Sequence, residues 1–317
     1  MKLTRVIGIA VFSLFAAALI IFAQGEKRIA LNIVAFDRND RPVTDLTSRD
    51  FEIFDEGEPQ DIVSFVPNQK PAASVILFDV SNDNVRSRGF GVNELVTSLK
   101  PLESSDSLYL YLLAGKLRPV HPLPSAQKTN GSAGVPWTRE IQLLLDSSMK
   151  DLSLQPVDIG LPRTVEAIDT LASSLAPFPG RKNILWITRG TTISDPAYAL
   201  NRKLDYSSLV HRVGTALDDV GITLSSVDQE DVPGSGARNT LEQFAELTGG
   251  SVYSGDIQKA IREVLAASGS GYVVQYTAPY GDGKYHRIRV KSLRQGLRLQ
   301  FKQGYYADRE ITRIHFR

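Results

Sequence analysis

Two short apolar runs, SVILFDV (74–80) and NILWIT (183–188), limit what this chain can fold into. Neither alternates, so each reads as a strand covered on both faces, the mark of a parallel sheet enclosed by helices. Stripes at helical spacing separate them. Val92, Leu95, Val96 and Leu99 form one, closed by Pro101. Trp137, Ile141, Leu144 and Leu145 form a second, and Val165, Ile168, Ala172 and Leu175 a third that ends before PFPG. Then come a stripe at Leu209, Val213, Leu217 and Val220, and the strand GITLSSV. Asn239 and Glu242 are spaced as a capping box for a helix running to Thr248. The short strand SVYS follows, and then a last helix capped by Asp256 and stopped by Gly269. SLYLYLLA and KLRPVHPL flank Gly115 and predict a hairpin. The alternation over residues 72–268 predicts an α/β fold, a doubly wound, mostly parallel sheet with one antiparallel edge.

The flanks follow a different period. RIALNIVAF, DFEIFDE and QDIVSFVP precede the α/β stretch; GYVVQYTA, YHRIRVK, LRLQFK and GYYA follow it. Either set alone has too few strands for a stable unit. Pairing residues 26–68 with 270–307 predicts a small β-sandwich of six or seven strands, with the α/β unit inserted between its halves. Asn68 to Pro71 reads as a linker and 308–317 as a tail.

The N-terminus sets the compartment. Lys2 and Arg5 precede an uncharged run from Val6 to Ala23, and Gln24, Gly25 and Glu26 follow. That is the layout of an export signal over residues 1–23, and residues 6–23 are also long enough to serve as a membrane anchor. Both readings place the rest of the chain outside the cytoplasm: periplasmic, cell-surface or secreted. The absence of cysteine excludes disulfides, thiolate zinc and iron–sulfur sites. Without Lys2 and Arg5 the formal charge falls from +1 to about −1, so bulk attraction to nucleic acid is not indicated.

The strand ending in DVSND, with its helix–strand series, resembles the von Willebrand factor A (VWA) domain family. PGRKNILWIT and the flanking segments, from RPVTDLTSRDFEIFDEGEPQDIVSF to GYVVQYTAPYGDGKYHRIRVKSLRQGLRLQFKQGYYA, resemble in particular the VWA-related proteins common in acidobacteria. The resemblance implies a metal-ion-dependent adhesion site at the carboxyl ends of the parallel strands, where oxygen ligands hold a divalent cation. Asp79 and Ser81 match the first two ligands, and Thr164, in LPRTVEAIDTL, matches the threonine. Asp83 stands where the family has a second serine. Arg189, after NILWIT, falls within one position of the last aspartate.

That substitution makes the site degenerate. An arginine charge ~5 Å from a divalent ion costs about 6–7 kcal/mol at an effective dielectric of ~20. A millimolar metal site is worth only about 4 kcal/mol. An inward Arg189 therefore replaces the cation, its planar fork bridging Asp79 and Asp83. An outward Arg189 leaves a weak Mg²⁺ site at Asp79, Ser81, Asp83 and Thr164.

Other chemistry is not indicated. His121, His211, His286 and His315 show no paired ligand spacing; neither G-x-S-x-G nor a P-loop occurs, and no cofactor is expected. Arg287, Arg289 and Lys291 alternate with His286, Ile288 and Val290, and Arg298 and Lys302 repeat the pattern. Were those strands adjacent, five cations would share one outer face, as a solvated surface or a contact for anionic lipid or an acidic partner. Two long polar loops, 124–136 and 191–207, complete the reading, the second on the rim beside Arg189. The chain is thus expected to be a non-enzymatic interaction or adhesion protein that binds an unidentified protein or acidic ligand through Asp79, Ser81, Asp83, Thr164 and Arg189. The other readings are a Mg²⁺-dependent adhesion domain and a structural component of the cell envelope.

Overall fold

A computed structural model describes residues 27–67, 73–81, 92–102, 108–121, 123, 139–144, 147, 160–188, 207–230, 235–278 and 282–307. The segment read as an export signal, Asp83, Arg189, His315, both long polar loops (up to Ser207), the linker and the tail lie outside these residues.

Six strands form the central sheet: β5 (Ala73–Asp79), β6 (Leu108–Ala114), β7 (Lys116–His121), β8 (Lys182–Thr188), β9 (Ile222–Asp228) and β10 (Val252–Ser254). Their order is β10-β9-β8-β5-β6-β7, parallel throughout except for the β6–β7 hairpin at the edge. Gly115 turns that hairpin at φ 72°, a conformation costly to any side chain. β5, β6, β8 and β9 are buried at every position, as unbroken apolar strands covered on both faces should be.

Five helices supply the cover: α1 (Val92–Leu99), α2 (Gly160–Leu175), α3 (Ser207–Asp219), α4 (Gly236–Thr248) and α5 (Ile257–Ser268). Residues 139–144 are helical too. α2, α3 and α4 pack on one face of the sheet around Trp186 and Phe244; α1 and α5 pack on the other around Phe78 and Leu185. The predicted doubly wound sheet and antiparallel edge are present. One local expectation fails. Asn239 does not open α4; Ser235 does, its hydroxyl accepting from the Arg238 amide at 3.1 Å, and Glu242 instead takes the Arg238 guanidinium at 3.0 Å.

Both chain ends build two further sheets. β1 (Lys27–Phe36) and β4 (Ile62–Pro67) join β11 (Tyr272–Ala278) and β13 (Arg298–Gln300) in the order β13-β1-β11-β4. β2 (Phe51–Asp55) and β3 (Glu58–Gln60) join β12 (Tyr285–Ser292) and β14 (Gly304–Tyr306) in the order β14-β12-β2-β3. Their inner faces share one apolar cluster, with Leu31, Ile33 and Val274 from one sheet and Ile53 and Ile288 from the other. The sandwich therefore has eight strands, one or two more than the pattern predicted, because three-residue β3 is too short to show a period.

The sandwich is tied to the α/β unit by the stretch from β13 to β14. Lys302 is buried and reaches Asp218 of α3 at 2.6 Å. Gln300 donates to the Gly249 carbonyl at 3.0 Å. A Cβ on Gly249 would lie 2.7 Å from the Lys302 nitrogen, so only glycine fits there.

These placements correct the expected five-cation face. Arg287, Arg289 and Lys291 do share the outer face of β12, with Arg289 and Lys291 both over the Phe54 ring. Arg298 belongs to the other sheet, where it meets Asp40 at 2.8 Å and covers Phe36. Lys302 is the buried tie to Asp218. Sequence alternation gave the right face for β12 but could not place β13 in a different sheet.

Candidate functional site

In the central sheet the chain leaves β5 toward β6 on one side, whereas it leaves β8 toward β9 on the other. The carboxyl ends of β5 and β8 thus flank a topological switch point, the place where open α/β sheets take ligands. Asp79 ends β5, Thr188 ends β8 and Asp228 ends β9. The register pairs Phe78 with Ile187, and Thr188 with Asp228, so these three oxygen-bearing residues close neighbouring strands at one level. All three are buried.

Asp79 is 1% exposed and, among the described residues, held by three donors. Its Oδ1 accepts the Ser81 amide at 2.9 Å, a turn closed by the side chain as the backbone leaves the strand. Its Oδ2 accepts the Thr164 hydroxyl at 2.8 Å and the Trp186 indole N–H at 3.1 Å. Thr164 comes from the first turns of α2 and Trp186 from the middle of β8, so three separate elements converge on one carboxylate. Ser81 turns the other way. Its hydroxyl donates to the Leu113 carbonyl at 3.2 Å and accepts the Gly115 amide at 3.0 Å, which fastens the strand end to the β6–β7 hairpin.

Of the five residues expected at the site, the structure brings Asp79, Ser81 and Thr164 together. Asp83 and Arg189 lie outside the described residues. The donor set does not fit a divalent ion as it stands. Such an ion needs several oxygens free to converge at about 2.0–2.6 Å. Here Asp79 Oδ2 carries two hydrogen bonds, as many as one carboxylate oxygen has lone-pair sites. The Ser81 hydroxyl donates to one backbone group and accepts from another, which leaves it a single lone pair. Among the described residues no group of three or more His, Asp or Glu is arranged for a metal.

No family model and no curated protein matches the chain. Solved structures do resemble it. A VWA domain of SpRpn10 has a TM-score of 0.34 at 12% identity, over 58% of this chain and 88% of that one. Proximal thread matrix protein 1 from the mussel byssus gives 0.34 at 14% identity, over 66% of this chain. A second structure of that protein, with a zinc-occupied MIDAS motif, gives 0.36 at 13% identity. The chain spans about half the length of the byssus protein, 49% and 48% in the two structures. Such likeness concerns overall fold alone, so the site rests on this chain's own residues.

Two of the residues at this rim carry no recognisable sequence signal. Trp186 reads as one more apolar residue of NILWIT, and only its neighbour across the sheet reveals the hydrogen bond. Asp228 lies at the end of GITLSSVD; its Oδ1 accepts the Glu230 amide at 3.1 Å, and Arg238 of α4 lies 3.8 Å from Oδ2. The described histidines sit elsewhere. His121 stacks on Tyr109, His211 packs on Tyr306, and His286 lies between Asp55 at 3.0 Å and Asp282 at 3.2 Å. At the opposite end of β8, Arg181 is buried against Asn183, and that burial pulls its guanidinium down to about 10.

Proposed function

We propose that the protein is an exported, non-enzymatic interaction module of the VWA kind. Its binding surface is the rim at Asp79, Ser81 and Thr164, continued by Asp83, Arg189 and the loop 191–207. It engages its partner without a divalent ion. The observation that carries this reading is the Asp79 carboxylate, placed at the switch point yet held by protein donors where a metal site needs converging oxygens. Arg189 supplies the missing positive charge and meets an acidic group of the partner directly, through the bidentate geometry guanidinium favours. Kinship with the acidobacterial VWA-related group belongs to this reading, supported by the segments flanking the α/β unit. Export rests on the charged, apolar and polar order of residues 1–26. No helix among the described residues is long and apolar enough to cross a membrane. Any contact with an anionic surface falls to Arg287, Arg289 and Lys291, the three cations that share a face.

The test is retention of envelope proteins on the immobilised protein, in chelator and in Mg²⁺, beside Asp79→Ala and Arg189→Asp. The same binder should be held in both buffers and lost from both variants. A binder held only in Mg²⁺ would make this a metal-dependent adhesion domain. Turnover of an ester, peptide or glycoside panel that disappears in Ser81→Ala would make it an enzyme.

A further inference from the structure

We infer that Trp186 is the residue that decides the ion selectivity of the rim: its indole N–H locks Asp79 and Thr164 together and keeps divalent cations out. The inference rests on the metal-free reading of the rim and gives it a cause within the described residues, independent of Arg189.

The argument is one of donors and rotors. Thr164 and Ser81 carry hydroxyls, which can rotate and offer a lone pair to an ion when one arrives. An indole nitrogen offers only a proton and has no lone pair for a metal. Trp186 is fully buried, its ring edge-on to Phe244 at 6.2 Å and 81°, in a strand paired on both sides. It cannot swing aside without breaking that packing. Its N–H therefore stays on Asp79 Oδ2 at 3.1 Å, and the Thr164 hydroxyl takes the second position on the same oxygen at 2.8 Å. An ion approaching Oδ2 would meet the indole hydrogen, which cannot turn away as the Thr164 hydroxyl can, where it needs a lone pair. The same bonds hold the carboxylate in one orientation, so the surface offered to a partner is already formed. Phenylalanine at this position would keep an aromatic ring in the strand, remove the N–H and free one lone pair of Asp79.

Two measurements test this. In the first, Mn²⁺ is titrated calorimetrically into the protein, into Trp186→Phe, and into Trp186→Phe combined with Asp79→Ala. The parent should take up no ion. Trp186→Phe should gain affinity by about tenfold or more, the scale of one hydrogen bond to a charged group, and the double variant should lose it. In the second, nitrogen-resolved NMR follows the indole protons of the two tryptophans, with Trp137→Phe for assignment. The Trp186 proton should resonate downfield and move upfield in Asp79→Asn, a change that ordinary packing would not produce. If Trp186→Phe does not fold, this second measurement decides alone. An indole resonance indifferent to Asp79→Asn, or a folded Trp186→Phe that gains no ion, overturns the role of Trp186 and leaves metal-free partner binding standing. Uptake by the parent that Asp79→Ala abolishes overturns the metal-free reading itself, and this inference with it.

Discussion

Two buried aspartates invite comparison, Asp79 in the α/β unit and Asp55 in the sandwich. Each is essentially inaccessible, and each has three hydrogen-bonding partners among the described residues. Asp79 takes a backbone amide, a threonine hydroxyl and an indole. Asp55 takes the Tyr276 hydroxyl at 2.9 Å and the Tyr305 hydroxyl at 2.8 Å on Oδ2, and faces His286 Nδ1 at 3.0 Å with Oδ1. As hydrogen-bonded sets they are near equals, yet they close strands at different places in the topology. Asp79 closes a strand at the switch point. Asp55 closes β2 between the two sheets, and its side-chain partners come from β11, β12 and β14. A satisfied buried carboxylate is thus no mark of a binding site; its place in the topology decides. Asp55 fastens the N-terminal strands to the C-terminal ones, so its network stabilises the closure of the sandwich.

That contrast can be broken by experiment. The largest effect is expected from Asp55→Ala, which strands two hydroxyls and an imidazole in the core. It should cost more than about 3 kcal/mol in urea unfolding, each orphaned group contributing about 1–3 kcal/mol. A loss below about 1 kcal/mol would mean that water reaches Asp55 after all. Removing one donor is milder: Tyr276→Phe should cost about 1–2 kcal/mol and leave partner binding untouched. At the rim the balance reverses. Thr164→Val should lower stability by about 1–2 kcal/mol, the cost of one donor lost from a buried carboxylate, yet abolish retention of the partner. Binding left intact by Thr164→Val, as by Tyr276→Phe, would erase the distinction between the regions.

Two pH effects sharpen it further. Burial, then the neighbouring charges, pushes the Tyr276 hydroxyl well above the ordinary phenol range, and burial with the Asp55 hydrogen bond does the same to Tyr305. The folded state therefore keeps protons that unfolded phenols release near pH ~10. Stability should fall as pH climbs above that value, and Tyr276→Phe should flatten the fall in thermal melts. On the acid side the Lys284 amide, and after it His286, holds the Asp282 carboxyl below its usual value. Its contribution is present above the ordinary carboxylate range and is lost as pH drops through the folded value. Being exposed, it should give the smallest effect of all, seen as a slightly shallower acid limb in Asp282→Asn.

Much of this was legible in the residues. The unbroken apolar runs at 74–80 and 183–188 required a sheet covered on both faces. The period-two flanks required partners from the opposite chain end, since neither set could stand alone. Asp79 and Ser81 were marked by their positions just past a strand, and Thr164 by the VWA resemblance. Trp186 was not, because an indole buried for packing and one aimed at a carboxylate look the same in a strand. Nor was the separation of β12 from β13, since alternation reports which face a residue occupies and not which sheet its strand joins.

By itself, then, the sequence determined the element order, the layering and the strand end that bears the site, because hydrophobic period and turn chemistry act over a few residues. The tertiary structure alone decided which donors converge on Asp79, that Lys302 is a buried tie to Asp218, and that Asp55 is a core fastener. Those facts depend on side chains brought together from 85, 107, 84 and 250 positions away along the chain. No local pattern encodes them; only the closing of the sheets brings the groups within hydrogen-bonding reach.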